Sequence, residues 1–180
     1  MSVLRRYGLD RRKAPVFVQS FETTNLRELS TEVDVALVQL FGGRSAVPYD
    51  LTRPGRTPRT YGELATPAGL ADIATYARGI GPDKGLVIPR NPDGSLGEPT
   101  TLVDDAHAAG LVVHAYTFRA ENVFLPLEYR SGLDPAAYGD LFRELEKFFA
   151  TGLDGVFADQ PDIALEARED FLGSQERAAS

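Results

Sequence analysis

Short apolar runs of strand length recur along this chain, and segments with helical spacing separate them. The runs are almost continuously apolar instead of alternating with polar residues, which is typical of strands covered on both faces. A fifth, weaker candidate lies at 79–81, where only Ile80 is apolar. The four clear runs are VFVQSF (16–21), VALVQLF (35–41), LVVHAYTF (111–118) and GVFA (155–158).

The segments between the runs carry signals for helices. Thr66 and Pro67 mark one start, because threonine caps helices and proline favours the first turn. Asp134 and Pro135 give the same signal for the most strongly patterned helix. This alternation of strands and helices predicts an α/β fold with a parallel sheet and right-handed crossovers. The predicted helices span 66–77, 99–110, 134–152 and 161–172.

Two α/β architectures fit this order of elements, an open doubly wound sheet and a (βα)8 barrel of the TIM type. A nucleotide-binding open sheet would have a glycine-rich turn after its first strand, whereas ETTN (22–25) contains no glycine. That weakens the open sheet, although periodicity alone leaves both architectures open. In either case, functional residues gather at the carboxyl ends of the strands, where the long loops 42–65, 81–98 and 119–133 begin.

Composition limits the class of protein. The apolar share of 43% and the charged share of 25% are those of an ordinary globular domain. A net charge of −7 argues against nucleic acid as a partner, and the lack of cysteine excludes disulfides and thiolate sites. The basic N-terminus has no apolar run behind it, so neither a signal peptide nor a membrane span is predicted. A cytoplasmic location is expected by default, and export of a longer form is left open.

Four motifs, taken together and in order, resemble the glycerophosphodiester phosphodiesterases of the longer bacterial type. They are VFVQSFE (16–22), GIGPDK (79–84), AHAAGLVVHAYTFRAEN (106–122) and TGLDGVFADQPDIA (151–164), and the likeness covers roughly residues 3–170. The resemblance implies an α/β (βα)8 barrel in which this chain supplies approximately the fourth to eighth βα units. On this interpretation residues 1–172 are the C-terminal part of the barrel domain, and residues 173–180 are a flexible tail.

The resemblance also implies a reaction, the metal-dependent hydrolysis of glycerophosphodiesters to glycerol 3-phosphate and an alcohol such as choline or ethanolamine. A divalent cation, calcium or magnesium, is expected in the complete enzyme, with histidines as acid and base. The family's His-Arg-Gly and Glu-x-Asp motifs have no match here, and only 15 residues precede the first strand. No catalytic or metal-binding residue is therefore assigned to this chain, which we expect to be incomplete and inactive alone.

Candidate substrate-binding residues lie where the strands end. Phe21 and Tyr116 are expected to pack against glycerol, each with a plain structural role as the alternative. Lys84 and Arg119 are candidates for pairing with phosphate, although solvated surface charge is the favoured interpretation of each. Asp159 is interpreted as a helix cap or as a group close to the phosphate site. The full set of candidates is Phe21, Glu22, Lys84, Tyr116, Arg119 and Asp159.

Three functions remain open at this point. The chain is part of a glycerophosphodiester phosphodiesterase, a non-catalytic remnant or binding module of the same fold, or a lyase-type relative acting on choline phospholipids. The expected small-molecule substrate is a glycerophosphodiester. Because an arc of a barrel leaves two strand edges unpaired, we also expect either a complementing N-terminal half or self-association through those edges.

Overall fold

Five parallel strands form one sheet in the order in which they occur along the chain. The computed structural model of the protein describes residues 2–179. All four clear apolar runs form strands, and so does the weak candidate around Ile80, which is the central strand. The parallel α/β sheet predicted from the sequence is therefore confirmed. The strands are β1 (Phe17–Ser20), β2 (Ala36–Phe41), β3 (Gly79–Pro82), β4 (Val112–Phe118) and β5 (Gly155–Ala158).

Helices connect the strands and cover the outer face of the sheet. A short first helix that the sequence analysis did not predict precedes β1, and a capping box formed by Thr60 and Glu63 starts another short helix inside the 42–65 loop. The helices are α1 (Ser2–Arg6), α2 (Thr23–Ser30), α3 (Tyr61–Leu64), α4 (Pro67–Ile73), α5 (Lys84–Val87), α6 (Leu102–Ala108), α7 (Leu141–Phe149) and α8 (Pro161–Ala179).

The predicted start of the helix over 134–152 is wrong. The helix begins at Leu141, and Asp140 caps it by accepting a hydrogen bond from the backbone N–H of Arg143. Residues 134–140 instead form a loop that the Asn122 side chain holds through hydrogen bonds to the backbone oxygens of Ser131 and Asp134. These contacts are distant in sequence, so local capping signals do not reveal them.

The last helix extends beyond its predicted end at residue 172. In the structure α8 continues to Ala179, so the segment 173–179, expected to be a flexible tail, is helical. Among the helices of residues 2–179, none is both long enough and apolar enough to cross a membrane.

The sheet is strongly curled, since aromatic rings on β1 meet rings on β4 although two strands lie between them. The ring of Phe17 stands edge-on to His114 with centroids 4.8 Å apart. Near the carboxyl ends, Phe21 meets Tyr116 in the same way at 6.0 Å. The inner face of the sheet is thus the wall of a half-barrel, in agreement with the barrel-type fold. The assignment to the fourth to eighth βα units stays a prediction.

Glycines on the central strand make room for this curl. A Cβ atom added to Gly79 would lie 2.6 Å from Val112 Cγ2 and 2.7 Å from the Val112 backbone oxygen. A Cβ atom on Gly81 would lie 2.5 Å from Leu40 Cδ2. The Val112 oxygen belongs to the backbone, so β4 can approach β3 this closely only because residue 79 lacks a side chain, whereas at Gly81 the Leu40 side chain would have to move.

The hydrophobic core lies between the outer face of the sheet and the helices. Phe118 on β4 and Phe148 on α7 pack edge to face with centroids 5.0 Å apart, and both are fully buried. Edge-to-face packing of this kind adds to the free energy gained by burying the rings. Other fully buried members of this core are Leu26, Phe41, Ile73, Ile80, Val113 and Leu145.

The half-barrel is open at both sides. Within residues 2–179, β1 pairs only with β2, and β5 pairs only with β4. Phe17 on the inner face of β1 is 50% exposed and Phe157 on β5 is 41% exposed, although a closed barrel fills its interior with such side chains. The described residues therefore leave part of an apolar interior facing solvent.

We expect Gly79→Ala to destabilise the fold by about 1–3 kcal/mol, as overpacking in a close-packed site does. The new methyl group would meet backbone of β4, so a strand would have to move. Gly43→Ala is the matched control, because a Cβ atom at this exposed glycine meets nothing within 4 Å. Urea unfolding of both variants measures the difference, and equal stabilities would contradict the role assigned to Gly79.

Candidate functional site

The carboxyl ends of the strands enclose a cleft of about 370 Å³ on the inner face of the half-barrel. We call it the mouth cleft. Three predicted site residues, Phe21, Tyr116 and Asp159, lie together in its wall. The structure thus brings the end of β1 next to the ends of β4 and β5. The remaining lining residues are Gln19, Leu40, Thr117, Phe157 and Ala158.

Gln39 on β2 fixes the position of Phe21. Its amide nitrogen donates to the Phe21 backbone oxygen at 3.0 Å and to the Leu40 backbone oxygen at 3.1 Å. Its amide oxygen accepts a hydrogen bond from the Tyr76 hydroxyl at 2.9 Å. Gln39 is fully buried, so these bonds satisfy an amide that would otherwise be costly to bury. They tie the end of β1 to β2.

Tyr116 forms the wall between the mouth cleft and a second cleft described below. Its hydroxyl donates a hydrogen bond to the Phe41 backbone oxygen at 2.7 Å, so the side chain spans β3 and is held at the end of β2. Burial raises the pKa of Tyr116 to about 12, and the Asp83 charge acts in the same direction. The phenol is therefore neutral at physiological pH, and its oxygen can still accept a hydrogen bond from a ligand.

Asp159 and Arg119 form an ion pair at the rim of the mouth cleft. Arg119 Nε lies 2.7 Å from Asp159 Oδ2, and the guanidinium also sits over the Phe124 ring, 4.7 Å from its centroid. Since α8 begins at Pro161, the residue before the helix is Gln160. The interpretation of Asp159 as a helix cap is therefore wrong, and its carboxylate positions Arg119 instead.

Lys84 is neither solvated nor free to reach the mouth cleft. Its ammonium donates to Glu144 Oε1 on α7 at 2.7 Å, and the two side chains are 15% and 0% exposed. Burial lowers the pKa of Lys84 and raises that of Glu144, while their mutual attraction opposes both changes. This pair lies in the second cleft, of about 450 Å³, between the ends of β3 and β4. We call it the β3–β4 cleft.

Glu22 lies apart from both clefts, although it follows β1 directly. Its Oε2 accepts a hydrogen bond from the backbone N–H of Asp50 at 2.5 Å. Burial raises the pKa of Glu22. Burial also acts to raise the pKa of Asp50, but hydrogen bonds from Thr24 and Thr23 outweigh it and hold that pKa below its usual value. The structure therefore does not place Glu22 in the mouth cleft with Phe21 and Tyr116.

The expected divalent cation finds no suitable donor set within residues 2–179. Oxygen-rich sites for calcium or magnesium need several carboxylate or carbonyl ligands around one point. No group of three or more His, Asp or Glu side chains in this part of the chain could hold a metal ion. The described residues thus do not fit the cation on their own.

A parallel α/β half-barrel with clefts at the carboxyl ends of its strands has the layout of the TIM-type barrel enzymes. The family described as the glycerophosphoryl diester phosphodiesterase family matches residues 2–163, and the chain belongs to this family. The match begins at residue 2, so it does not bear out the expectation that only the C-terminal part of the family domain is present.

Individual relatives agree with this membership. The chain is 36% identical over 166 residues to glycerophosphodiester phosphodiesterase GDPD6 of Arabidopsis thaliana, covering 88% of this chain and 41% of that protein. It is 25% identical over 182 residues to a glycerophosphodiester phosphodiesterase of Haemophilus influenzae, covering 92% and 45%. The chain therefore spans less than half the length of these relatives.

A solved structure shows the same fold. It is a candidate glycerophosphoryl diester phosphodiesterase from Silicibacter pomeroyi DSS-3, which superimposes with a TM-score of 0.57 at 18% sequence identity. The superposition covers 94% of this chain and 42% of the other. This likeness supports the barrel-type α/β fold.

Sequence reasoning missed two residues that organise the site, Gln39 and Glu144. Both carry a signal in the sequence. Gln39 is a polar residue inside the apolar run of β2, where an amide must find buried partners. Glu144 lies three residues after Leu141 and four residues before Phe148, so the helix directs its carboxylate toward the core.

The two tyrosines beside the mouth cleft, Tyr61 and Tyr116, are expected to ionise at a higher pH than tyrosine in an unfolded chain. Burial raises the pKa of Tyr61 and of Tyr116 to about 12, above about 10 for an unfolded chain. Between these two pH values the unfolded state loses phenolic protons that the folded state keeps, so stability falls as pH rises through this window. Ultraviolet titration of phenolate, with circular dichroism as the check on folding, measures the effect.

In the Tyr116→Phe variant, one phenol fewer should ionise at the raised pH. In denaturant, all tyrosines of the chain should ionise near pH ~10. Ionisation of all seven tyrosines near that pH in the folded protein would contradict the burial of Tyr116 and Tyr61.

Proposed function

We propose that this chain supplies one wall of the active site of a glycerophosphodiester phosphodiesterase, which releases glycerol 3-phosphate and an alcohol. The observation that carries the proposal is the mouth cleft, where Phe21, Tyr116 and Asp159 converge at the carboxyl ends of three strands in a chain of this family. In TIM-type barrels this end of the sheet carries the chemistry.

Phe21, Tyr116 and the ion pair of Arg119 with Asp159 each have a role in this proposal. Phe21 and Tyr116 present ring faces and edges to the carbon chain of glycerol, and the Tyr116 oxygen accepts from one of its hydroxyls. Arg119, held by Asp159 at the rim, pairs with the phosphate through its remaining guanidinium N–H groups. These contacts bind and orient the diester.

Hydrolysis needs more than orientation. A water oxygen must bond to phosphorus, the bond from phosphorus to the alcohol oxygen must break, and a proton must reach that oxygen. Such proton transfer requires a positioned acid and base. We propose that these groups, and the carboxylates for a calcium or magnesium ion, belong to a complementing part of the barrel that faces the mouth cleft.

The open edges of the half-barrel support the proposal that a complementing part of the barrel exists. The outer strands β1 and β5 present backbone groups without a second neighbour among residues 2–179. Beside β5, an apolar groove of about 590 Å³ runs between the strand and α8, with Val156, Leu165 and Phe171 in its walls. We propose a barrel that closes through both edges, in which this chain supplies approximately the fourth to eighth βα units, as the resemblance of its motifs implies.

A binding role without catalysis is the second candidate. The observation that favours it is the missing donor set for a metal ion in residues 2–179, together with clefts that remain able to hold a ligand. A lyase-type relative acting on choline phospholipids requires the same complementing groups. Self-association through the open edges is the alternative way to cover β1 and β5.

We expect no hydrolysis of glycerophosphocholine by the chain alone, with or without calcium or magnesium. A missing general acid alone costs about a hundredfold or more in rate, and a missing metal site adds to that. A coupled assay for glycerol 3-phosphate measures the rate. Adding the part of the Haemophilus influenzae relative that this chain does not match should restore turnover.

A carboxylate-to-amide variant of the supplied part is the control, and it should abolish the restored activity. Activity of the chain alone that survives EDTA would contradict the proposed division of the site. Binding of substrate with no turnover in either sample would favour the binding module.

A further inference from the structure

The long loop after β2 is tied to α2 through one residue, Asp50. The two ends of this loop are fixed to each other, since the backbone N–H of Tyr61 donates to the Ala46 oxygen at 2.8 Å. We call the segment between these ends, residues 47–58, the strap. The hydrogen bonds that join the strap to the rest of residues 2–179 all involve Asp50. Asp50 is therefore the polar contact on which the position of the strap depends.

The two carboxylate oxygens of Asp50 have different surroundings. Oδ2 accepts hydrogen bonds from the Thr23 hydroxyl at 2.9 Å and from the backbone N–H and hydroxyl of Thr24 at 2.7 and 2.6 Å. Oδ1 is buried and receives no hydrogen bond from an amide, a hydroxyl or a basic group among the described residues. A buried carboxylate oxygen is costly to leave without a donor. A donor for Oδ1 must therefore be a neighbouring group with an acidic proton.

Glu22 is the neighbour that can carry this proton. Its Oε2 accepts a hydrogen bond from the Asp50 backbone N–H at 2.5 Å, so the two carboxyl groups lie close together at the end of β1. A protonated Glu22 can donate to Asp50, which satisfies Oδ1 and avoids two adjacent negative charges. Burial raises the pKa of Glu22, and a hydrogen bond to the Asp50 side chain acts in the same direction. Burial also acts to raise the pKa of Asp50, but hydrogen bonds from Thr24, Thr23 and Glu22 lower it.

The other ionisable groups around this pair do not neutralise a second negative charge. They are one carboxylate and two guanidinium groups, which line a cleft of about 420 Å³ together with the pair, and two phenols. The groups are Glu28 on α2, Arg53 and Arg56 on the strap, Tyr61 on α3 and Tyr76 after α4. Burial raises the pKa of both phenols, so they are neutral. Among the described residues, no ion pair links either arginine to Glu22 or Asp50.

We propose that Glu22 and Asp50 share one proton and that this proton holds the strap against α2. When Glu22 ionises, its proton passes to solvent, Oδ1 of Asp50 loses its donor, and the two carboxylates repel each other. The strap is then released. This latch is independent of the proposed function, although Glu22 directly follows Phe21 and the strap thus adjoins the wall of the mouth cleft.

The direction of the pH dependence follows from linkage between protonation and folding. Because folding raises the pKa of Glu22, this group contributes its full stability below the pKa of an unfolded glutamate. The contribution is lost as pH rises through the raised pKa. Asp50 acts in the opposite sense, because its pKa is lowered, and its contribution is lost as pH falls through that value. The strap is therefore held in mild acid and released toward higher pH.

The Glu22→Gln variant tests this latch. A glutamine amide donates to Asp50 Oδ1 at every pH, and its oxygen still accepts from the Asp50 N–H. Hydrogen exchange of the Asp50 and Thr24 amides, corrected for the intrinsic rate at each pH, reports the held strap. At neutral pH we expect both amides to be about tenfold or more better protected in the variant, since it gains a hydrogen bond to a charged group. In the unsubstituted chain the protection should fall as Glu22 titrates, whereas in the variant it should stay constant.

Glu28→Gln is the matched control, because Glu28 lines the same cleft at an exposed position of α2 and makes no hydrogen bond to Asp50. Its amide protection should follow that of the unsubstituted chain. If the Glu22 variant does not fold, carboxyl carbon shifts of the unsubstituted chain decide the case. Glu22 and Asp50 should titrate in two coupled steps, with Glu22 above and Asp50 below the values for the chain in denaturant.

Equal protection of the two amides in Glu22→Gln and in the unsubstituted chain at neutral pH would overturn the proposal. An equal gain in Glu28→Gln would also overturn it, because it would show a general effect of removing negative charge. A Glu22 carboxyl that titrates as in the denatured chain would do the same. These measurements need no turnover, so the hydrolysis assay and the latch can fail separately.

Discussion

The absence of side chains at Gly79 and Gly81 determines the shape of this molecule. A methyl group at Gly79 would overlap with the Val112 backbone oxygen, and one at Gly81 would have to displace the Leu40 side chain, so glycine lets β4 and β2 pack closely against β3. The resulting curl turns β1 toward β4, so that Phe21 and Tyr116 meet across two intervening strands. The mouth cleft exists because these rings converge there. A flatter sheet would separate them and leave no common site.

Hydrogen bonds of buried polar side chains then hold the ends of these strands and the neighbouring helices in position. Gln39 joins the end of β1 to β2, and the Tyr116 hydroxyl reaches over β3 to the backbone of β2. Lys84 and Glu144 do the same for α5 and α7. Removing one partner of the Lys84–Glu144 pair would leave the other charge buried without a counterion. This costs more free energy of folding than the intact pair contributes. The clefts are thus held rigidly on the side formed by this chain and open on the other.

The sequence predicts the strands well because their runs are nearly continuously apolar, although only β2 and β3 are buried on both faces in the described residues. Even the weak candidate around Ile80 is a strand, since its glycines serve the curl rather than a turn. The start of α7 is not predictable from Asp134 and Pro135, because the distant Asn122 holds that segment as a loop. Pairing of Arg119 with Asp159 likewise depends on how β4 and β5 approach, which local patterns do not encode.

The central claim is that the sheet has two open edges which a complementing part of the barrel covers. Amide hydrogen exchange of the chain, with light scattering to establish that it is monomeric, tests this claim most directly. We predict that the backbone amides of β1 and β5 that point to the unpaired edges exchange about tenfold or more faster than the amides of β3. They should become protected when the complementing part is added. Equal protection of β1, β3 and β5 in the monomer would contradict the account.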